Sequence, residues 1–149
     1  MKKGGNLSLK KEIFISRTPK EVFELLINAN EIVKYYPLNS MESNWGIGNE
    51  IILKGGEGDD EFTDYGIIES LVKDEKFQYR YWSTNHGTKR IRENHLTICY
   101  ILNPHENGTK LTLEQSNFNS TAMYHRMLPV WDFLLSSLKN YAESKNEVG

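Results

Sequence analysis

The sequence predicts an α+β fold: a curved antiparallel sheet of six or seven strands wrapped around a long C-terminal helix, with two short helices after the first strand. Two features carry the prediction. At the C-terminal end an alternating segment, GTKLTLEQSNF, runs straight into TAMYHRMLPVWDFLLSSLKNYAES. At about 100° per residue, Met123, Met127, Val130, Trp131, Leu134, Leu138 and Tyr141 of that segment share one face. Near the other end, Thr18-Pro19-Lys20-Glu21 is a helix start, with Thr18 as N-cap, Pro19 at the first helical position and Glu21 closing a capping box. A long helix laid across a curved sheet encloses a filled core or a pocket, and function turns on which.

The elements follow in order. Residues 1–6 read as a frayed end, and LKKEIFIS from Leu9 reads as a strand with Ile13 and Ile15 alternating against Phe14. Val22, Leu25, Leu26 and Ala29 form the apolar stripe of the first helix. Asn30 is placed to cap a second over residues 31–35, which Pro37 ends. Strands are expected at 41–45 and 50–54 around Gly46-Ile47-Gly48-Asn49, where glycine supplies positive φ for a tight turn. GGEGDDE is a loop, 62–72 a strand and Lys73-Asp74-Glu75 a turn. Phe77, Tyr79 and Tyr81 then alternate with Gln78, Arg80 and Trp82 before Asn85-His86-Gly87 breaks the strand. Residues 91–102 read as one long strand with Leu96, Ile98, Tyr100 and Leu102 on one face, and 103–108 as a hairpin loop into the strand 109–118. Pro129 cannot donate to the carbonyl of His125, so the terminal helix kinks there or starts there, and an approach turn before Pro129 is the simpler expectation.

Composition bounds the function classes. At 149 residues the chain is expected to form a single domain, 1–149, with a core that needs no staples. A net charge of −2 gives no electrostatic reason for nucleic acid or an anionic membrane as partner. Cys99 is the only cysteine, so no intrachain disulfide forms and a reducing compartment fits. MKKGGNLSLKK lacks the apolar stretch of a secretory signal, and no run reaches the ~18 apolar residues of a membrane span. A cytoplasmic location and a monomer are the default expectations.

Several pieces together resemble a known family. RTPKEVFELLINANEIVKYY follows the first strand, Trp45-Gly46-Ile47-Gly48 marks the first hairpin, and YGIIES with FQYRYW occupies the centre. HLTICYIL with GTKLTLEQSNF and WDFLLSSLKNY complete the series. Their order and spacing, from about Leu9 to Tyr141, resemble the START and pollen-allergen-like (SRPBCC) helix-grip superfamily, and within it the heat-shock-protein-90 ATPase activator homologue family. Where that family often has a tryptophan near the end of the second short helix, this chain has Tyr35-Tyr36.

The resemblance implies a cavity between sheet and terminal helix that binds a small hydrophobic or amphipathic ligand. The side chains that alternation and helical spacing turn toward it are Phe77, Tyr79, Tyr81, Leu96, Ile98, Tyr100, Leu111, Leu113, Gln115, Met127, Trp131 and Leu134. The competing reading is that these residues fill the space. Gln115 shares a face with Leu111 and Leu113, though a solvated position near the strand end is the simpler expectation. Arg92 and Asn94 share parity with Leu96 and could enter the same space.

The resemblance also implies two other roles. One is a co-chaperone-like module that stimulates a chaperone ATPase by contact, which an exposed apolar patch around Trp82 on the outer face would favour. The other is a cyclase or hydrolase using the same cavity. It would need an inward acid–base pair, for example Tyr79 or Tyr100 with Arg92.

The residues themselves point to no catalytic group, metal or cofactor. His86, His95, His105 and His125 lack metal-ligand spacing, and Glu57, Asp59, Asp60 and Glu61 lack the alternation of a calcium loop. Cys99 lies mid-strand, opposite in parity to Ile98 and Tyr100, and reads as inert. Glu114 and Asp132 are lone carboxylates, and there is no nucleophile elbow or phosphate loop.

Overall fold

The computed structural model describes residues 4–145, with side chains from Asn6 onward. Seven antiparallel strands form one sheet: β1 (Gly4–Ile15), β2 (Ser40–Ser43), β3 (Glu50–Gly55), β4 (Phe62–Val72), β5 (Lys76–Ser83), β6 (Leu96–His105) and β7 (Gly108–Phe118). Their spatial order is β1-β7-β6-β5-β4-β3-β2, so the first strand pairs with the last and hairpins build the rest. The helices α1 (Pro19–Leu26) and α2 (Ala29–Tyr35) follow β1, and α3 (Thr121–Ser144) closes the chain. Among the described residues no helix is long and apolar enough to cross a membrane.

Local chemistry accounts for the elements. The Thr18 capping box forms in both directions: Glu21 N–H donates to Thr18 Oγ1 at 3.2 Å, and Thr18 N–H donates to Glu21 Oε1 at 3.1 Å. Asn28 caps α2 rather than Asn30, because its Oδ1 accepts from Asn30 N–H at 3.0 Å and the helix starts two residues earlier than expected. The strand predicted from 91 begins at Leu96. Residues 92–94 wind instead into a 3₁₀ turn, held by His95 N–H to the Arg92 carbonyl and by Asn94 Nδ2 to the Lys89 carbonyl. At its other end β6 runs on to His105, and Glu106-Asn107 alone makes the turn, with Glu106 at φ 52°. Of the expected frayed end, residues 4–6 belong to β1 and 1–3 lie outside the described residues.

The terminal helix departs most from expectation. It starts at Thr121 and runs through Pro129 as one element of 24 residues, with Ser120 Oγ accepting from Met123 N–H at 3.1 Å as its cap. Pro129 and His125 are both exposed, so the lost backbone bond lies on the solvent side, where water can satisfy the His125 carbonyl. The opposite face buries Met123, Trp131, Leu135, Leu138 and Ala142, while Val130 stays 37% exposed. Polar latches fix the helix against β1 and the segment after it: Lys11 to Asp132 at 3.0 Å, and Arg17 Nε to the Ala142 carbonyl at 2.8 Å.

The concave face of the sheet alternates as one core layer. Leu9 and Ile15, Leu111 and Leu113, Leu96, Ile98, Tyr100 and Leu102, Phe77, Ile68 and Ile51 are buried. Helices α1 and α2 close the end nearer the α3 C-terminus. There Tyr141 Oη donates to Glu31 Oε2, and Lys145 Nζ pairs with the same oxygen at 3.0 Å. The convex face carries cross-strand polar pairs, among them Glu12–Lys110 at 2.7 Å and Glu69–Arg80 at 3.1 Å.

Candidate functional site

The other end of the concave face is not filled. A cavity of about 430 Å³ lies beneath the N-terminal half of α3. Its floor is Tyr79, Tyr81 and Ser83 of β5, Leu96 and Ile98 of β6, and Gln115 of β7. The helix supplies Met123, Met127, Val130, Trp131 and Leu134, with Arg126 at the rim. Tyr36-Pro37-Leu38, where α2 ends, form one flank. Leu53 on β3 with Phe62 and Asp64 on β4 form the far wall, and Asn85 and His86 stand at the mouth. Gly66 makes room here: a Cβ on it would lie 2.9 Å from the Tyr79 ring, so the glycine lets Tyr79 lean across β4.

Two polar groups stand in this mostly apolar wall. Gln115 is fully buried, and Trp131 Nε1–H donates to its Oε1 at 2.7 Å. An indole N–H can only donate, so this bond fixes the amide orientation and leaves Gln115 Nε2 without a protein partner. Asp64 is 8% exposed. Its Oδ2 accepts from Tyr81 Oη at 2.8 Å, while its Oδ1 has no protein partner. Burial pushes the Asp64 carboxyl above the usual carboxylate range, against the pull of the neighbouring Ser83 and Tyr81 hydroxyls. Burial likewise raises the Tyr81 hydroxyl well above its ordinary value, with the Asp64 charge adding to the effect. Tyr36 and Tyr100 share a hydrogen bond of 2.8 Å between their hydroxyls at the inner limit of the cavity.

Of the twelve side chains expected to face a cavity, Tyr79, Tyr81, Leu96, Ile98, Gln115, Met127, Trp131 and Leu134 line this one. Phe77, Tyr100, Leu111 and Leu113 belong to the packed core beside it. Phe77 and Tyr100 stack with centroids 6.1 Å apart, and Leu111 and Leu113 have no exposed surface. Two expectations are corrected. Gln115 is not solvated, because the Trp131 indole reaches it. Arg92 and Asn94 do not enter the cavity: the 3₁₀ turn breaks the strand parity, Asn94 is half-buried with its Nδ2 on the Lys89 carbonyl, and Arg92 is exposed and borders a groove with Glu69, Arg80 and His95. No acid–base pair with Arg92 forms in the cavity; the inward ionisable pair is Asp64 with Tyr81.

Asp64, Ser83, Met123 and Tyr36 were not foreseen as site residues. Asp64 had a readable signal, since it shares strand parity with Ile68 and so turns a carboxyl toward the core. Tyr36 and His86 had none, because the path of loops decides their positions. Cys99 lies on the convex face, and burial raises its thiol pKa above the ordinary range. Trp82 does not sit in an open apolar patch: its indole donates to Thr88 Oγ1 at 3.1 Å, and it packs against Tyr65, which the Arg90 guanidinium covers at 3.6 Å.

A long helix gripped by a curved seven-stranded antiparallel sheet, with two short helices at one end and a cavity at the other, defines the helix-grip class. Within that class the chain belongs to the family described as activator of Hsp90 ATPase homolog 1-like protein, whose model matches residues 16–143. Among solved structures, it is similar to the Aha1 dimer from Colwellia psychrerythraea, at 17% identity and a TM-score of 0.78, over 95% of this chain and 99% of that one. A protein from Cytophaga hutchinsonii matches at 24% identity and a TM-score of 0.79, over 93% and 94% of the two chains. CalU16 from Micromonospora echinospora matches at 15% and 0.73, over 92% and 76%. At these identities the likeness shows the fold alone. No curated protein matches the sequence.

Proposed function

We propose that this chain binds a small hydrophobic or amphipathic molecule in the cavity between the sheet and α3. The observation that carries the reading is the cavity itself. Its volume of about 430 Å³ lies in the range of small-molecule sites, and its wall is mostly aromatic and aliphatic with a few convergent polar groups. Met123 and Met127 add an adaptable roof. Native mass spectrometry of the purified protein, followed by denaturing analysis, tests it. The expected result is a reproducible small molecule that leaves on unfolding, or uptake of the neutral dye Nile red with enhanced fluorescence. Met127→Trp, which puts a bulky ring into the space, should abolish uptake while leaving the circular dichroism unchanged. If the unaltered protein carries nothing and takes up no dye, the reading fails.

A second reading has its own observation. Asp64 and Tyr81 place an ionisable, hydrogen-bonded pair with raised pKa values in the cavity wall, as a cyclase or hydrolase using the cavity would need. If Asp64 moves a proton in a reaction, Asp64→Asn should abolish turnover of a bound substrate while leaving its binding intact. A role in stimulating a chaperone ATPase rests on the family's description and not on a surface feature of this chain.

A further inference from the structure

The cavity wall holds one buried donor and one buried acceptor without a protein partner, and they are far apart. Gln115 Nε2 and Asp64 Oδ1 belong to side chains more than nine-tenths buried, and both residues line the cavity. In each case another atom of the same group is anchored, by the Trp131 indole or by the Tyr81 hydroxyl, so the free atom has a fixed direction. Leaving such groups unmet costs folding free energy, and an apolar residue in either place would avoid that cost. The register shows their separation. Gln115 pairs with Ile98, which pairs with Tyr79, whereas Asp64 pairs with Ser83, four residues further along β5. Three strand spacings of about 4.8 Å also lie between them, too far for one polar atom to meet both. Tyr79, Ile98, Leu96 and Tyr81 fill the interval on the floor, and Met127 and Trp131 stand above it.

We propose that the cavity selects an elongated amphipathic ligand: an apolar body with a hydrogen-bond acceptor at one end, received by Gln115 Nε2, and a hydroxyl or amine donor at the other, received by Asp64 Oδ1. This rests on the ligand-binding reading above and specifies its ligand class. A purely apolar cavity would select by shape and hydrophobicity, and there each added hydroxyl would weaken binding through lost hydration. Here the hydroxyl at the far end strengthens it.

The test is displacement of Nile red by three matched molecules: decanol, methyl decanoate and methyl ω-hydroxydecanoate. The hydroxy ester should displace the dye at about tenfold lower concentration than either single-ended molecule, the gain expected for one buried hydrogen bond. Asp64→Leu should erase the advantage of the hydroxyl, and Gln115→Met that of the ester carbonyl. The series on the unaltered protein decides the matter even if a variant does not fold. If Nile red binds but the hydroxy ester competes no better than methyl decanoate, the two polar groups do not select the ligand, and this proposal falls while the cavity reading stands. If the protein carries no small molecule and binds no Nile red, the cavity reading itself fails and takes the proposal with it.

Discussion

The two halves of α3 cover the same sheet, and the chain has treated them differently. Beneath the C-terminal half, Leu135, Leu138 and Ala142 are buried in one core cluster with Leu111, Leu113 and the apolar faces of α1 and α2, and the space is filled. Beneath the N-terminal half, Met123, Met127, Trp131 and Leu134 face Leu96, Ile98 and Gln115 across a cavity. Both strips are mostly apolar, though the open one also carries Gln115, Ser83 and Asp64. The closure differs as well. Two short helices seal one end, while the 3₁₀ turn at Thr84–His86 and the Tyr36-Pro37-Leu38 segment border the other without filling it. The lesson is that hydrophobic patterning specifies a core layer, and end closure decides whether that layer becomes a solid interior or a site.

Truncation should break the symmetry of the helix most sharply. Leu138 has no exposed surface in the sealed half, so Leu138→Ala should destabilise by about 2–5 kcal/mol, through lost transfer energy and the void left behind. Leu134 borders space that is already open, so Leu134→Ala should lie well below that range. Chemical denaturation of both variants measures the contrast. Equal losses would mean that the open half is packed as tightly as the sealed one.

At the boundary between the halves stands the Gln115–Trp131 bond. Trp131→Phe keeps an aromatic ring but leaves Gln115 Oε1 buried and unpaired, with an expected cost of about 1–3 kcal/mol. Adding Gln115→Met should recover part of that loss, because replacing both partners by apolar groups is far less costly than orphaning one. A double-mutant cycle reads the coupling. Strictly additive losses would show that the bond does not hold the cavity roof to its floor.

Pro129 lies at the outer side of the open half, and its effect should be smaller still. Pro129→Ala restores a backbone donor to the His125 carbonyl, and alanine is the better helix former. The gain is partly offset because proline restricts the unfolded chain. A net stabilisation of about 1 kcal/mol is expected by thermal or chemical unfolding. A loss would mean that the roof depends on the shape proline gives the helix.

Much of this contrast was legible in the sequence, but not all of it. The Thr18 capping box, the alternation of β5 to β7 and the stripe of α3 follow from short-range chemistry, and they fixed both the fold class and the faces of the layer. Gln115 was placed on the correct face yet expected to be wet, because its partner lies 16 residues away on another element. Arg92 was assigned an inward parity that a local 3₁₀ turn removed. The parity of Asp64 with Ile68 marks it as inward, a signal carried by a single polar residue. Whether Phe77 and Leu113 line space or fill it depends on how tightly the ends close, a tertiary property that no strand records in its own pattern.

The two ends should also titrate with opposite sign. At the sealed end the Tyr141 hydroxyl, ahead of Lys145, lowers the Glu31 pKa, so the folded state favours the carboxylate. Stability from this group is present above the unfolded glutamate value and is lost as pH falls through the lowered folded value. Glu31 is near solvent and screened, so the effect is modest. At the open end burial raises the Asp64 pKa, so the folded state favours the protonated carboxyl more than the unfolded chain does. Its contribution is fully present below the unfolded aspartate value of about 3.9 and is lost as pH rises through the raised folded value. Relative to Asp64→Asn, the unaltered protein should therefore lose stability as pH rises across that window. Relative to Glu31→Gln, it should lose stability as pH falls below about 4.3. Unfolding free energies of the three proteins, measured over the acid range, give both differences directly. Slopes of the same sign would mean that Asp64 is solvated or paired as Glu31 is, and that the open end does not hold a desolvated carboxyl ready to meet a ligand.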